Sequence, residues 1–358
     1  MGKTKKKILI YSPYWHILGG GERYLLEIAN STQKNFKVYL LADKIIEKKA
    51  KENFGIILKN VDFLDTKIFR RKSFYGRFLF LRQFDICFYM TDGSLFFPGA
   101  KKNYLIIQSP SHIPKISVST KFKISGWKII CYSSFMENII RERISKKSIV
   151  LPPAVDINKF RNSSKQKKEK IFLSVGRFFT SNLHEKKHDF LIDFFQKNYL
   201  SYFRGWRLYL CGNLTEESGR NTLAGIKNKI RNFPVEIFIN IPFSKLTQFY
   251  KLSSIYWHAA GFRSDPVSQP EKMEHFGITT IEAMAAGTVP VVFGAGGQTD
   301  IVENGKNGLL WQNEKEFLKA NLLLIKNKKE LNKISNNASK NVEKYSFYNF
   351  KKRIYELV

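Results

Sequence analysis

The sequence has few acidic residues and few cysteines. Among 358 residues, 30 are Asp or Glu and 60 are Lys or Arg, which gives a formal net charge of +30. The three cysteines, Cys87, Cys131 and Cys211, share no metal-ligand spacing and lie in apolar, strand-like surroundings. This pattern argues against a cysteine-ligated metal site and predicts buried free thiols.

Long apolar runs are also missing, because no run approaches the ~20 apolar residues that cross a bilayer. Lysines at positions 3 and 5–7 precede an apolar run at 8–11, as at the start of a signal peptide. That run is too short for a signal peptide, and Pro13 and Gly19 follow at once. We therefore expect a cytoplasmic protein, with peripheral binding at the cytoplasmic face of a membrane through the stretch at 68–83.

The excess of positive charge has two interpretations. Lysine, isoleucine, asparagine and phenylalanine are all abundant, so codon bias in an AT-rich genome accounts for part of it. The other part indicates an anionic partner, which is a nucleic acid, an acidic membrane surface or a phosphorylated substrate.

Strand-like and helix-like runs alternate along the chain, which predicts an α/β protein with parallel, doubly wound sheets. A chain of this length holds two cores. A polar stretch at 162–170 has no apolar periodicity, so we place the linker there. The predicted domains are 1–160 and 161–345. The strand-like runs are 7–11, 37–41, 85–89, 104–107 and 128–131 in the first domain, and 171–175, 207–211, 235–238, 255–259 and 289–293 in the second.

The stretch at 264–297 reads SDPVSQPEKMEHFGITTIEAMAAGTVPVVFGAGG. A buried strand at 255–259, a loop, a short helix at 278–286 and a second strand at 289–293 make a βαβ unit, with Gly287 as the left-handed helix cap. Ligands of parallel sheets bind at the carboxyl ends of strands. The amides from Gly277 to Thr280 therefore predict an anion site at the helix start, between Glu274 and Glu282.

The run EHFGITTIEAMAAGTVPVV resembles the signature of glycosyltransferase family 4, which consists of retaining nucleotide-sugar transferases with the GT-B fold. The resemblance implies two Rossmann-like domains facing across a cleft, with a last helix at 346–358 that packs back on the first domain. It also implies that Glu274 contacts the donor sugar and that Glu282 holds the ribose hydroxyls. The alternative from the residues alone is a capping Glu274 and a solvent-facing Glu282.

Further residues match the family's donor site. GGGER, with Gly20 and Gly21, resembles its glycine-rich loop facing the donor phosphates and the acceptor. Arg177 and Lys186 match an arginine and a lysine that bind the diphosphate, and two cations there would offset charge on the leaving group. The anion site at the helix start adds Gly277, Ile278 and Thr279. For Lys186 the alternative is a solvated surface charge, because Lys187 is adjacent.

The acceptor side departs from the family pattern. The family often has a histidine near the end of a central strand, and here IIQSPSHIP places Gln108 at that position and His112 four residues later. Either Gln108 positions the acceptor or His112 reaches the site from the loop. We expect no metal or other cofactor, because there is no DxD pattern and Asp265 and Asp300 are isolated.

The stretch at 68–83, IFRRKSFYGRFLFLRQ, interleaves basic and aromatic residues along a predicted helix. Its aromatic side chains would insert into an anionic membrane while its guanidinium groups meet the headgroups. The alternative is an ordinary amphipathic helix whose phenylalanines join the core.

Together these observations predict a retaining glycosyltransferase. The expected reaction moves a hexosyl group, with mannosyl as the first candidate, from a nucleotide-sugar donor to a lipid-linked or growing surface glycan. One alternative is a nucleotide-sugar epimerase of the same architecture. Another is a basic nucleic-acid-binding protein, but no recognised nucleic-acid module is visible, so we expect no nucleic-acid partner.

Overall fold

The computed structural model describes residues 5–70, 73–161, 166–178, 185–214, 220, 223–226, 229–230 and 232–358. The chain divides into two compact units. Unit 1 comprises Met1–Ala154 and Phe347–Val358, and unit 2 comprises Val155–Ser346.

Unit 1 contains a seven-stranded parallel sheet in the order β3-β2-β1-β4-β5-β6-β7. Its strands are β1 Lys7–Tyr11, β2 Lys37–Leu41, β3 Val61–Leu64, β4 Ile86–Met90, β5 Lys102–Ile106, β6 Lys128–Cys131 and β7 Ser148–Val150. Its helices are Gly20–Thr32, Ile45–Phe54, Thr66–Arg70, Phe74–Leu81, Val118–Ser125, Ser134–Ile144 and Phe347–Leu357, with a 3-10 turn at Pro110–His112. All five residues of β4 are buried, as expected for a central strand covered by helices on both faces.

The last helix, Phe347–Leu357, packs on the first helix of unit 1. The rings of Phe350 and Tyr24 meet edge to face with centroids 5.4 Å apart. The Tyr104 hydroxyl donates a hydrogen bond of 2.6 Å to the Leu357 carbonyl. The two ends of the chain therefore belong to one unit.

Unit 2 contains a six-stranded parallel sheet in the order β10-β9-β8-β11-β12-β13. Its strands are β8 Glu169–Val175, β9 Arg207–Gly212, β10 Val235–Ile239, β11 Ser253–His258, β12 Val289–Phe293 and β13 Leu309–Trp311. Its described helices are Ile157–Phe160, His188–Asn198, Phe243–Leu252, Ile278–Ala285, Gln298–Ile301, Glu314–Lys326 and Lys328–Asn341; short turns lie at Tyr199–Phe203, Pro270–Lys272 and Val342–Tyr345. In both sheets the strand order reverses beside the first strand of the unit. Such a reversal is where doubly wound sheets bind ligands.

The predicted α/β class and the two parallel sheets are confirmed. Three strands were not predicted, β3, β7 and β13, and each has only three or four residues. Runs this short give too little alternation to separate a strand from a loop.

Two predictions about segments are wrong. The stretch at 68–83 is not one helix, because separate helices cover Thr66–Arg70 and Phe74–Leu81. The second begins at Ser73, whose hydroxyl accepts from the Gly76 amide and caps it. Arg71 and Lys72 lie outside the described residues. The predicted linker at 162–170 includes the start of β8, which begins at Glu169, and positions 162–165 also lie outside them.

The cysteine prediction is confirmed, since Cys87, Cys131 and Cys211 are buried and free. Burial raises the pKa of the Cys87 and Cys211 thiols to about 12. Among the described residues, the structure has no helix with the length and hydropathy of a membrane span.

Candidate functional site

The candidate site of unit 2 lies where its strand order reverses, between β8 and β11. Gly176 and Arg177 directly follow β8, and His258 is the last residue of β11. The helix Ile278–Ala285, named here the signature helix, begins after the loop that leaves β11. The carboxyl ends of these strands and the start of this helix therefore form one locality.

Three side chains meet at this point. The Lys186 ammonium donates a short hydrogen bond to Oε2 of Glu274, and the two side chains are 12% and 13% exposed. The same oxygen lies 3.0 Å from Nε2 of the buried His258. Lys186 Nζ is 3.5 Å from that imidazole nitrogen. The structure therefore brings Glu274 and Lys186, two of the predicted site residues, into contact, and Lys186 is not a solvated surface charge.

Gly176 makes room for Lys186. A Cβ atom at position 176 would stand 2.3 Å from Cγ of Lys186, so a larger residue would displace the lysine. His188 begins the next helix, and burial, followed by repulsion from Lys186 and His258, lowers its pKa to about 3. Burial also lowers the pKa of His258. Both histidines are thus neutral at pH 7, and the net charges of the group lie on Lys186 and Glu274.

The glycine-rich turn after β12 fixes the backbone of Glu274. The Gly297 amide donates a 2.6 Å hydrogen bond to the Glu274 carbonyl. Gly296 has φ +65°, and a Cβ there would stand 2.3 Å from that carbonyl oxygen. Only glycine fits this left-handed and crowded position. This turn, at 294–297, therefore positions Glu274.

The signature helix begins with the predicted anion-site residues. Gly277 has φ +113° and precedes Ile278, the first helical residue. The Thr279 hydroxyl accepts a 2.8 Å hydrogen bond from the Tyr256 hydroxyl, which orients the first turn. The Thr280 amide donates to the Gly277 carbonyl at 3.1 Å, so it does not belong to the predicted anion site, which leaves the amides of Gly277, Ile278 and Thr279. The first amides of a helix lack a carbonyl four residues earlier within it, and the helix dipole favours an anion there. This helix start can hold a phosphate group.

Glu282 lies on the signature helix and is 7% exposed. Its Oε2 accepts a 2.9 Å hydrogen bond from the Tyr250 hydroxyl, so it is not the solvent-facing residue of the alternative interpretation. A hydrogen bond from a phenol to one carboxylate oxygen fixes the orientation of the carboxylate, which has two accepting oxygens. That arrangement can accept hydrogen bonds from a pair of hydroxyl groups.

Arg177 is exposed and directly follows Gly176. It lies on the loop that leads from β8 towards Lys186, and positions 179–184 of that loop lie outside the described residues. The structure thus places Arg177 at the carboxyl end of β8.

Unit 1 brings together two of its predicted residues. Gly20 and Gly21 begin the helix Gly20–Thr32 after β1. A Cβ at Gly21 would stand 2.3 Å from Oε1 of Gln108 and 2.7 Å from Sδ of Met90. Gly21 is therefore the residue that lets this helix start approach Gln108.

His112 lies on the 3-10 turn Pro110–His112, and its ring stacks on Tyr14 at a centroid distance of 5.6 Å. Burial lowers the pKa of His112, although Asp92 acts in the opposite direction. His112 is therefore held by Tyr14, whereas Gln108 contacts Gly21.

Three site residues escaped the sequence analysis. Glu22 is buried and closes the glycine loop, because its carboxylate accepts from the Ser12 hydroxyl and the Gly19 amide, both at 3.0 Å. His258 and Tyr250 hold Glu274 and Glu282. His258 could have been found in the sequence, because it is a polar residue at the end of a buried strand. Glu22 and Tyr250 have no such signal until the chain is folded.

Residues 156–341 match the family model described as glycosyl transferases group 1. A curated relative, GDP-Man:Man(3)GlcNAc(2)-PP-Dol alpha-1,2-mannosyltransferase of Xenopus tropicalis, is 25% identical over an alignment 436 positions long, which covers 98% of this chain and 86% of the relative.

Solved structures agree in fold. Anabaena HepE, crystallised with UDP, superposes with a TM-score of 0.72 at 15% identity, covering 98% of each chain. A glycosyltransferase from Rickettsia africae has a TM-score of 0.73 at 17% identity, covering 99% of this chain and 97% of its own. These neighbours have the GT-B fold, which confirms the predicted fold class. The chain belongs to the group 1 glycosyltransferases and is a transferase enzyme.

Proposed function

We propose that this enzyme transfers a hexosyl group, with mannosyl as the first candidate, from a nucleotide sugar to a lipid-linked or growing surface glycan, with retention of anomeric configuration. The observation that carries the proposal is the group formed by Lys186, Glu274 and His258 beside the start of the signature helix. Mannosyl comes first because the curated relative is named as a mannosyltransferase that uses GDP-Man.

The proposed donor site divides into three parts. Lys186, Arg177 and the amides at Gly277, Ile278 and Thr279 bind the diphosphate, because cations and helix-terminal amides both attract its charge. These groups stabilise the negative charge that grows on the leaving nucleoside diphosphate.

Glu274 and Glu282 bind two different parts of the donor, the sugar and the ribose. Glu274 accepts hydrogen bonds from hydroxyls of the donor sugar, and Glu282 accepts from the ribose hydroxyls. Glu282 is the fifth residue of the signature helix, about one turn after its start, so one helix serves both the diphosphate and the ribose. In unit 1, Gly20 and Gly21 are assigned to the donor phosphates and the acceptor, and either Gln108 or His112 serves the acceptor side.

A thermal-shift screen with GDP, UDP, ADP and dTDP and their sugars tests the donor assignment. A ligand at 100 times its Kd stabilises the folded state by about 2.7 kcal/mol, which is readily measured. We expect GDP-mannose to raise the melting temperature of the wild type and to have a much smaller effect on Glu282→Ala. Equal stabilisation of both proteins would contradict the site. An epimer formed without release of nucleoside diphosphate would favour the epimerase instead.

Unit 1 also carries an exposed apolar surface with basic residues, which we propose binds an anionic membrane. Phe74 and Tyr75, on the helix Phe74–Leu81, are 59% and 65% exposed. Phe97 contacts the Phe74 ring at 4.6 Å and lies under the Lys123 ammonium at 5.8 Å. The surface thus continues onto a second helix, Val118–Ser125, where Phe122 is also exposed.

The alternative of a phenylalanine face in the core describes only part of this region. Phe69 is buried and contacts the Arg77 guanidinium, whereas Phe74 and Tyr75 face outward. Exposed aromatic side chains beside basic residues favour insertion at the headgroups of acidic lipids.

A liposome co-sedimentation assay tests the membrane surface. We expect the wild type to pellet with anionic vesicles, to pellet much less with neutral ones, and to be released as salt rises. A double variant, Phe74→Ser with Phe122→Ser, should stay in the supernatant. Val267→Ser, at an apolar residue of unit 2 that is 83% exposed, is the matched control and should pellet as the wild type does. Wild-type pelleting of the double variant would refute the surface.

A further inference from the structure

His258 has no assigned role in donor binding, yet its side chain contacts both Glu274 and Lys186. It is the last residue of β11, its side chain is 1% exposed, and its Nε2 lies 3.0 Å from Oε2 of Glu274. Its other nitrogen, Nδ1, is buried and has no hydrogen-bond partner among the described residues. One ring nitrogen of His258 thus contacts Glu274, and the other makes no hydrogen bond to the described part of the chain.

This geometry fixes the protonation state of the imidazole. An ionised carboxylate only accepts hydrogen bonds, so Nε2 must carry the proton that it shares with Glu274. Burial lowers the pKa of His258, which favours the neutral ring. A charged ring would also carry a proton on Nδ1, and that buried N–H would be costly without a partner. The ring is therefore neutral and donates from Nε2.

Lys186 also contacts this Oε2 of Glu274. In the proposed function, Lys186 leaves the carboxylate when the donor binds, whereas His258 stays. A donor diphosphate carries more negative charge than one carboxylate, so it competes for the Lys186 ammonium. When Lys186 turns to the diphosphate, Glu274 loses that contact. His258 is a neutral part of strand β11, so the diphosphate does not draw it away.

We propose that His258 is a positioning residue: its Nε2–H holds the Glu274 carboxylate in place when the diphosphate draws Lys186 away. Glu274 then meets the sugar hydroxyls from a fixed position. This inference rests on the proposed function, because it takes the role of Lys186 from it. Loss of the hold would leave diphosphate binding intact and reduce the fraction of bound donor that is correctly placed to react.

Two substitutions test the role. His258→Gln keeps an N–H donor near the position of Nε2, whereas His258→Leu fills similar space without a donor. We expect His258→Leu to lower kcat about 10- to 100-fold, since a small misplacement at the reacting centre costs up to about 100-fold. KM for the donor and Kd for the nucleoside diphosphate should stay within about threefold of the wild type. His258→Gln should recover most of kcat.

Three outcomes would overturn the role: wild-type kcat in His258→Leu, an equal loss in both variants, or a parallel loss of nucleoside diphosphate binding. An activity-independent readout is the ¹⁵N spectrum of the labelled histidines. It should show His258 as the neutral Nε2–H tautomer at pH 7, with a shift in Glu274→Ala. An Nδ1–H tautomer would refute the hold on Glu274. If the wild type neither transfers sugar nor binds nucleotides, the proposed function fails, and this spectrum still decides the contact.

Discussion

Tyr250→Phe removes a hydroxyl that donates a hydrogen bond to the Glu282 carboxylate. Tyr250 is fully buried on the helix Phe243–Leu252, and its hydroxyl donates to Oε2 of Glu282 at 2.9 Å. Phenylalanine has the same ring, so the core keeps its packing and only the hydrogen bond is lost. The substitution therefore isolates a single interaction between this helix and the signature helix.

The expected size follows from the charge of the acceptor. A hydrogen bond to a charged group contributes about 1.5–3 kcal/mol to stability, against about 0.5–1.5 kcal/mol for a neutral pair. Tyr256→Phe is the matched control, because the Tyr256 hydroxyl donates at 2.8 Å to the neutral Thr279 hydroxyl. We expect Tyr250→Phe to lower the free energy of unfolding by about 2 kcal/mol and Tyr256→Phe by about 1 kcal/mol.

Chemical denaturation and donor kinetics measure the two consequences. The difference between the variants should appear in the free energy of unfolding. KM for the nucleotide sugar should also rise in Tyr250→Phe, because the carboxylate that we propose to bind the ribose loses the hydroxyl that orients it. Refutation would be a Tyr250→Phe protein that is no less stable than Tyr256→Phe and binds donor as tightly as the wild type.

Three further predictions concern the same site. Glu274→Ala should act mainly on kcat and Glu282→Ala mainly on donor affinity, since ribose hydrogen bonds persist from ground state to transition state; wild-type kinetics in either variant would contradict the assignment. Transfer should survive excess chelator, because Arg177, Lys186 and helix amides are assigned to the leaving diphosphate; loss restored by Mg²⁺ would refute this. Burial lowers the pKa of His275 from 6.5 to about 4. The contribution of its neutral imidazole to the free energy of unfolding is therefore fully present above pH 6.5, and about 3 kcal/mol of it is lost as the pH falls to 4. Denaturation curves between pH 6.5 and pH 4 should show a smaller loss in the free energy of unfolding for His275→Gln than for the wild type. An equal loss in both proteins would show that protonation of His275 is not its cause.

The sequence was sufficient for the elements around the signature helix. The helix was predicted at 278–286 and observed at Ile278–Ala285, and the strand Val289–Phe293 was placed correctly. Gly287 has φ +72°, as a left-handed helix cap requires. Continuous apolar runs bounded by glycine carry this information locally, so no tertiary contact was needed to read it.

The support of the site was beyond sequence reasoning because it depends on contacts between distant residues. Tyr250 and Glu282 are 32 positions apart, and Lys186 and Glu274 are 88 apart. The pairing of Lys186 with Glu274 depends on β8 lying beside β11 in the sheet, and the pairing of Tyr250 with Glu282 depends on contact between two helices. No local sequence pattern predicts either. The break between Arg70 and Phe74 was missed for a different reason, because the aromatic periodicity outweighed the Ser73 cap in the prediction.

The most direct measurement follows donor and acceptor together. The purified protein is incubated with GDP-mannose, or with UDP-glucose in a parallel reaction, and with lipid-linked oligosaccharides as acceptors. Release of nucleoside diphosphate and the mass of the acceptor are then recorded. We predict release of one nucleoside diphosphate for each hexose added, α-anomeric product by NMR, and loss of both signals in Glu274→Ala. Release of nucleoside diphosphate without any glycosylated product, or an epimerised donor that remains intact, would contradict the proposed transfer.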